Sequence, residues 1–222
     1  YYQRFDNGGR AVGSLKVVVD CGPEETGTTV IFKADPDMFT ETKVYDYGVL
    51  SQRLRELAFL NKGLKLVLED ERLDPAKVDE YHYEGGLREY VAFLNKNKTP
   101  LHDRIIDCED TMNDISVEIA MQYNDGYQPN IYSFCNNINT HEGGTHEEGF
   151  RLALTRVINN YAKSHNFLKD KDDSLSGDDC REGLTAIVSV KHPDPQYEGQ
   201  KKTKLDNAEV RKIVSTILAN QL

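Results

Sequence analysis

The sequence predicts an α+β fold, with strands and helices largely segregated along the chain and a sheet covered mainly on one face. Three observations support this prediction. Apolar residues alternate with polar ones over short segments in the first third of the chain, and the spacing becomes helical near Val49. After residue 86 the predicted order is helix, three strands, helix, strand, helix. With 222 residues, 38% of them hydrophobic, the chain can bury the core of one large domain or two small ones.

The first part is predicted to contain three strands, one helix and a fourth strand. The three strands cover residues 1–5, 15–19 and 28–32, and the turn-forming segments Asn-Gly-Gly and Cys-Gly-Pro separate them. Apolar residues over 49–60 follow helical spacing, and this helix is predicted to end before the alternating strand 64–68. The helix and the fourth strand are expected to pack together.

Residues 70–80 are predicted to form a charged connection, because most of them are charged and Pro75 lies among them. A helix then opens at Gly85 and Gly86 and carries apolar residues as far as Leu94. The two glycines are explained by the backbone freedom that a helix start requires. We place a domain boundary between residues 80 and 90.

The second part is predicted to begin with three strands near residues 104–108, 115–123 and 130–136. Short turns join them, so we expect antiparallel neighbours. The longest helix begins at Thr145, where Thr145 and Glu148 have the spacing of a capping box.

Three further elements complete the predicted order. A short helix starts over residues 176–179, an apolar strand covers 184–190, and an amphipathic helix begins over 206–209. The residues of this last helix that are expected to face inward are Val210, Ile213, Val214, Ile217 and Leu218.

Charge and composition exclude several classes of protein. The 37 acidic and 27 basic residues give a net charge of -10, which argues against a surface devoted to nucleic acid. No segment approaches the roughly 20 apolar residues of a membrane span, so we expect a cytoplasmic protein without membrane contact. The four cysteines form no CxxC pair, which predicts neither a zinc site nor a disulfide framework. The chain starts at Tyr1 rather than methionine, which indicates a fragment of a longer protein.

The most suggestive candidate site is the loop over residues 197–204, which contains Gln200, Lys201, Lys202 and Lys204. This loop leaves a buried strand and runs towards a helix N-terminus. Lysine ammonium groups and unpaired backbone N–H groups could therefore hold a phosphate. A solvated basic loop is the alternative that the pattern alone leaves open, because charge runs are usually exposed.

Other features of the sequence indicate no ligand. Segment 142–146 lacks the GxxxxGK[ST] pattern of a phosphate loop, and its Thr145 is better explained as a helix cap. The six histidines form no HExxH motif or close pair, and no GxSxG nucleophile elbow occurs. We therefore predict no metal bound by this chain's side chains.

Nine segments carry a resemblance to a known family. They are residues 45–61, 82–86, 93–98, 123–127, 130–139, 143–146, 149–151, 181–184 and 199–205. Together they resemble the B subunit of bacterial DNA gyrase, a type IIA topoisomerase, over essentially the whole chain.

The resemblance implies two domains and an activity. Residues 1–85 would be the C-terminal part of a GHKL ATPase domain, an α/β sandwich, and residues 86–222 would be the transducer domain, with the fold of ribosomal protein S5 domain 2. The full-length enzyme would use ATP and Mg²⁺ to supercoil double-stranded DNA negatively. Its partners would be the A subunits of gyrase and a second B subunit, in an A2B2 heterotetramer.

Two alternatives stay open at this point. The B subunit of topoisomerase IV, which decatenates DNA, shares the quoted motifs. An S5-like fold could also be a plain RNA-binding module, although the acidic composition speaks against it.

The resemblance also implies nucleotide-binding residues. Gln200 and Lys202 match the family's glutamine and lysine that reach the γ-phosphate of ATP, with Lys202 as the catalytic group. Gly27 and Thr28 match a glycine and a threonine beside the adenine. The alternative for this second pair is a turn that enters a strand.

For DNA, the resemblance places Arg151 and Arg156 on the helix that borders the cavity receiving the duplex. The family's catalytic glutamate, adenine-reading aspartate and magnesium-binding asparagine have no match in the chain. We therefore expect the 222-residue chain alone neither to hydrolyse ATP nor to bind it tightly.

Overall fold

A computed structural model describes residues 1–169 and 171–222. The chain divides into two compact units, residues 1–46 and residues 47–222, which we call the first and the second unit. Both helices and strands are present, so the predicted α+β class is confirmed. None of the helices in the described residues combines the length and the apolar character that crossing a membrane requires.

The first unit contains little regular structure. Its two short strands are β1 (Phe5–Asp6) and β2 (Arg10–Ala11), which pair antiparallel. Of the strands predicted over 1–5 and 15–19, only Phe5 in β1 and an isolated antiparallel bridge between Tyr2 and Lys16 remain, and the strand predicted over 28–32 does not form. Their apolar side chains remain in solvent, because within the described first unit no neighbouring strand and no core cover them.

The second unit begins with four elements. They are α1 (Tyr47–Leu60), β3 (Lys65–Asp70), β4 (Lys77–His82) and α2 (Leu87–Leu94). The predicted helix 49–60 and strand 64–68 are thereby confirmed. The prediction of a connection over 70–80 is wrong for its last residues, because β4 pairs antiparallel with β3 along its whole length. Lys77, Val78 and Glu80 of β4 are exposed and Tyr81 is buried, and a hairpin with one exposed face tolerates that pattern.

Five strands form the main sheet of the second unit. They are β5 (Ile106–Met112), β6 (Ile115–Tyr123), β7 (Asn130–Cys135), β8 (Ile138–Asn139) and β9 (Leu184–Lys191). The order across the sheet is β5-β6-β9-β7-β8. The prediction that β6 and β7 are neighbours is wrong, because β9 lies between them, antiparallel to β6 and parallel to β7. Residues 184–190 are all buried, and such a run requires a central position with both faces covered.

Two long helices complete the second unit. They are α3 (Thr145–Ser164) and α4 (Ala208–Gln221), and the short helix predicted after residue 176 is a single 3-10 turn (Asp179–Arg181). The residues expected to face inward from α4 are all buried, so that prediction is confirmed.

The sheet is covered on both faces, so the prediction of coverage mainly on one face is wrong. Val117, Ile119 and Met121 of β6 pack in the same cluster as α3 and α4. Ala120 of β6 lies in a second cluster, with Phe134 and residues from α1 and α2. Successive side chains of a strand point to opposite faces, and here both faces are apolar.

Candidate functional site

The loop predicted to bind an anion is a short hairpin over residues 197–205, which we call the lysine hairpin. Tyr197 and Leu205 form an antiparallel bridge, and the Glu198 N–H donates to the Lys204 carbonyl at 3.1 Å. At the tip, the Lys202 N–H donates to the Gly199 carbonyl at 3.0 Å, and Lys202 has a left-handed backbone with φ of 57°. The tip is therefore a tight turn.

The polar side chains of the lysine hairpin differ in their pairing. The Lys204 ammonium lies 2.6 Å from the Glu198 carboxylate, and this hydrogen bond raises the pKa of Lys204. Gln200, Lys201 and Lys202 are exposed, and among the described residues neither of these two lysines forms an ion pair. The Lys202 ammonium lies 5.8 Å from the centre of the Tyr197 ring. Two cations and one amide are thus available to a ligand, whereas Lys204 is engaged.

The base of the lysine hairpin is joined to the segment before α3. The Thr145 N–H donates to the Leu205 carbonyl at 3.1 Å, and the Leu205 N–H donates to the Gly143 carbonyl at 3.2 Å. The Glu142 N–H donates to the Thr203 carbonyl at 3.0 Å, and the Thr203 hydroxyl donates to the Glu142 carboxylate. We call this set of bonds the α3 junction.

The predicted capping box at Thr145 is wrong. The residue that caps α3 is Gly144, and no described side chain bonds the free N–H groups there. Gly144 has φ of 133°, and a Cβ on it would lie 2.3 Å from the Leu205 carbonyl oxygen. Only glycine allows this close approach, so Thr145 becomes the first helical residue, and its buried hydroxyl has no partner among the described residues. Gly143 and Gly144 are therefore both part of the α3 junction, where they contact Leu205.

A second feature is a groove of about 790 Å³ along α3, which we call the basic groove. Five cationic residues line it, and they are Arg151, Arg156, Lys163, Arg181 and Arg211. Within the described part of the chain, Glu148 is the one acidic residue of the lining. The groove is therefore locally positive in a chain whose net charge is -10.

Several cations of the basic groove are held by carboxylates. Arg151 donates to Glu147 through Nε at 2.8 Å and through a terminal nitrogen at 2.7 Å. Arg211 pairs with Glu148, one residue further along α3. Ion pairs of this kind fix where the guanidinium groups point.

The remaining cations differ in how they are held. Arg181 pairs with Asp178 at 2.9 Å, and its Nε is buried with no partner in the described part of the chain. Arg156 and Lys163 form no ion pair with a described residue.

The structure places the predicted site residues in three places. Gln200 and Lys202 share the tip of the lysine hairpin. Arg151 and Arg156 line the basic groove together. Gly27 and Thr28 are exposed residues of the first unit, and the strand that this turn was expected to enter is absent. The role of each residue stays a prediction.

Sequence reasoning missed three cations of the basic groove. Lys163 lies seven residues after Arg156, two helical turns along the same face, so helical spacing could have found it. Arg181 and Arg211 come from the 3-10 turn and from α4, and no local pattern brings them to α3.

In residues 1–169 and 171–222, no three histidine, cysteine or acidic residues lie close enough together to hold a metal ion.

The relationship to known proteins is clear from the sequence. The family described as DNA gyrase B matches residues 86–222. This chain belongs to the DNA gyrase B family. The resemblance predicted from the nine segments is thereby confirmed.

Individual members of the DNA gyrase B family are similar over nearly the whole chain. The DNA gyrase B subunit of Staphylococcus epidermidis is 52% identical over 219 residues, which cover 99% of this chain and 34% of that protein. The DNA gyrase B subunit of Staphylococcus aureus is 55% identical over 197 residues, which cover 88% of this chain and 31% of that protein. The chain thus spans about a third of the length of these relatives.

Solved structures of the DNA gyrase B family agree with this fold. The 43K ATPase domain of Thermus thermophilus gyrase B, in complex with an aminocoumarin, is similar with a TM-score of 0.75 and 35% identity. That match covers 85% of this chain and 50% of the other. The B subunit of the gyrase from Myxococcus xanthus shares the fold at 23% identity, with a TM-score of 0.74, and covers 97% of this chain and 59% of the other.

Proposed function

We propose that this chain is the part of a gyrase B subunit that reads the γ-phosphate of ATP and passes that information to bound DNA. Residues 1–85 belong to the GHKL ATPase domain and residues 86–222 to the transducer. The full-length protein supercoils double-stranded DNA negatively together with the A subunits of gyrase, as an A2B2 heterotetramer. The relatives at 52% and 55% identity, both gyrase subunits, favour this activity over decatenation.

The observation that carries the proposal is the state of the lysine hairpin. Gln200 and Lys202 are exposed at the tip, and Lys202 has no ion pair with a described residue. An amide N–H and an ammonium are suitable donors for phosphate oxygens, and a tight turn fixes the backbone from which both side chains extend. The donor set therefore fits a terminal phosphate.

Binding to the terminal phosphate distinguishes ATP from ADP. The γ-phosphate supplies the extra negative charge that Lys202 can neutralise and that Gln200 can hydrogen-bond. Donors that are placed before the ligand arrives stabilise developing charge without reorganisation, and Lys202 acts in this way during turnover. A ligand shifts an equilibrium between two states of a protein only if it binds the two states with different affinity. Contacts made to the γ-phosphate alone are present with ATP and absent with ADP, and they therefore couple hydrolysis to movement.

The test of the lysine hairpin compares three variants of a full-length B subunit that carries this sequence. Lys202→Ala and Gln200→Ala are expected to lower ATP turnover and supercoiling at least about tenfold, since a charge-assisted hydrogen bond contributes about 1.5–3 kcal/mol. Lys201→Ala is the control, because Lys201 is also exposed at the same tip. Unchanged supercoiling by Lys202→Ala would refute the proposal.

The isolated 222-residue chain is expected neither to bind ATP tightly nor to hydrolyse it, since no residue of the chain matches the family's catalytic glutamate, adenine-reading aspartate or magnesium-binding asparagine. Titration calorimetry measures this directly. Micromolar affinity for ATP would contradict the expectation.

We further propose that the basic groove contacts the duplex and that Arg151 and Arg156 bind its phosphates. Replacing either arginine by glutamine is expected to lower the slope of log affinity against log salt by about 0.9, the contribution of one phosphate contact. Lys212→Gln is the control, since Lys212 follows Arg211 in α4 but does not line the groove. DNA-stimulated ATP turnover is expected to fall with Arg151→Gln and to persist with Lys212→Gln.

A further inference from the structure

Glu147 makes bonds in two directions. One carboxylate oxygen, Oε1, accepts both hydrogen bonds from Arg151, which lines the basic groove. The other oxygen, Oε2, accepts a hydrogen bond from the Ser133 hydroxyl at 3.0 Å. Ser133 is buried in β7, so this single carboxylate connects the groove to the interior of the sheet.

Behind Ser133 lies a chain of buried polar groups. Ser133 Oγ is 2.9 Å from Thr140 Oγ1, and Thr140 Oγ1 is 2.8 Å from His146 Nε2. Thr140 and His146 have no exposed surface. Together with Glu147, these three residues form what we call the hydroxyl chain.

The direction of the hydroxyl chain follows from its protons. The carboxylate of Glu147 is the strongest acceptor that the single Ser133 proton can reach, so Ser133 donates to it. The Thr140 proton points back to Ser133, where the backbone carbonyl oxygen at 2.8 Å and Oγ at 2.9 Å are its two acceptors, and Thr140 accepts from the N–H at His146 Nε2. His146 Nδ1 is buried with no partner among the described residues, as suits the unprotonated nitrogen. Burial also lowers the pKa of His146 to about 4, which keeps the ring neutral.

The hydroxyl chain starts next to the α3 junction. His146 follows Thr145, whose backbone N–H donates to Leu205 at the base of the lysine hairpin. At its other end the hydroxyl chain reaches Arg151 through Glu147. A continuous path of hydrogen bonds and one peptide bond therefore connects a groove arginine with the hairpin that carries Lys202.

We propose that Glu147 is a positioning residue that couples occupancy of the basic groove to the lysine hairpin. The inference rests on the proposed function of both sites. When a DNA phosphate takes the guanidinium of Arg151, Glu147 loses two of its hydrogen bonds and is held by Ser133. The hydroxyl chain and the first turn of α3 then have a second arrangement, which the α3 junction transmits to the lysine hairpin.

Glu148 provides the matched comparison. It also pairs with an arginine that lines the basic groove, Arg211, and it has the same charge. Its side chain accepts a hydrogen bond from Arg211 and from no interior hydroxyl among the described residues, so it lies outside the hydroxyl chain. Replacing either glutamate changes the groove's charge equally, but only Glu147 belongs to the hydroxyl chain.

The experiment measures the ratio of DNA-stimulated to basal kcat in a full-length B subunit together with the A subunits of gyrase. Glu147→Gln and Ser133→Ala are expected to lower this ratio at least about fivefold, the lower end of coupling between sites. Glu148→Gln is expected to change it less than about twofold. Ser133→Ala leaves the charges of Arg151 and Glu147 unchanged, so a loss of stimulation in this variant cannot come from a change of charge in the groove. Melting temperatures establish that each variant is folded.

The KM for ATP separates coupling from local damage. For Glu147→Gln and Ser133→Ala we expect the loss in stimulated kcat, with the KM for ATP retained. Wild-type stimulation in Ser133→Ala, or equal losses in Glu147→Gln and Glu148→Gln, would overturn the inference.

Arg151→Gln distinguishes a failure of this inference from a failure of the proposed DNA contact. If Arg151→Gln loses DNA stimulation while Glu147→Gln and Ser133→Ala retain it, the inference fails and the proposed DNA contact stands. If Arg151→Gln itself keeps full stimulation, the proposed contact fails and the inference falls with it.

Discussion

Two runs of three apolar residues, one in each unit, differ in how far their side chains are exposed to solvent. Val17, Val18 and Val19 of the first unit are 63–75% exposed and form no strand. Ala186, Ile187 and Val188 of the second unit are fully buried in β9. Both runs have the size and composition of a strand, but only the second has neighbouring strands on both sides and helices on both faces. Strand propensity is realised where packing partners exist.

The largest expected effect is the loss of core packing in the second unit. Phe134 has no exposed surface, and Phe134→Ala is expected to lower the free energy of unfolding by about 3–5 kcal/mol because a cavity forms. Urea unfolding of the 222-residue chain measures it.

The paired substitution in the first unit is Ile31→Ala. Ile31 is 91% exposed, and its replacement is expected to change stability by less than about 0.5 kcal/mol. A large effect here would mean that the first unit has a core after all, and the comparison of the two units would break down.

The next effect is a pH dependence that belongs to the second unit, since residues 1–46 contain no histidine. Burial lowers the pKa of His146 from 6.5 to about 4 in the folded state. Between these values the unfolded chain binds a proton that the folded chain does not, so stability falls as pH decreases. The full loss is about 3 kcal/mol at 1.36 kcal/mol per pKa unit.

Urea unfolding at several pH values between about 6.5 and 5 tests this expectation before most carboxylates titrate. His146→Gln is the control, because an amide can donate to Thr140 without titrating. A wild-type slope equal to that of His146→Gln would contradict the expected role of His146.

A smaller effect compares two glycines. Gly144→Ala is expected to cost at least about 2 kcal/mol, because alanine disfavours φ of 133° and its Cβ would contact Leu205. Gly27→Ala is the control in the first unit, where no atom lies within 4 Å of the added Cβ. Thermal unfolding of both variants decides whether the α3 junction is as tight as the geometry indicates.

A small effect is also expected after removal of residues 1–46. All residues of the two core clusters lie in the second unit, so residues 47–222 should fold alone. We expect the melting temperature to shift by less than about 2 °C, which corresponds to less than about 1 kcal/mol. Loss of cooperative unfolding in the truncated chain would show that the two units are not independent.

Much of the second unit could be predicted from local patterns. The inward face of α4 was identified by helical spacing, and the central strand β9 by its continuous apolar run. The place of β9 could not be predicted, since its parallel pairing with β7 joins residues 55 positions apart, such as Asn130 and Thr185. The α3 junction was also missed, because Thr145 and Glu148 have the spacing of a capping box, although the residue that caps α3 is Gly144.

The candidate site, too, could be predicted from the sequence only in part. The lysine hairpin was evident in the sequence, because its lysines, glutamine and glycine are consecutive. The basic groove was only half evident, since Arg181 and Arg211 come from other elements than α3. The engagement of Lys204 by Glu198 required the hairpin geometry.

The sequence by itself determined the family, the class of fold and the residues at the hairpin tip, because short continuous segments of the chain are enough to recognise each of these three properties. Tertiary structure alone decided that the apolar run in β9 is buried and that the apolar run over residues 17–19 of the first unit is exposed. It also decided that Glu147 contacts both Arg151 and Ser133. Such contacts join distant parts of the chain, and their energy depends on burial and partners that no local pattern contains.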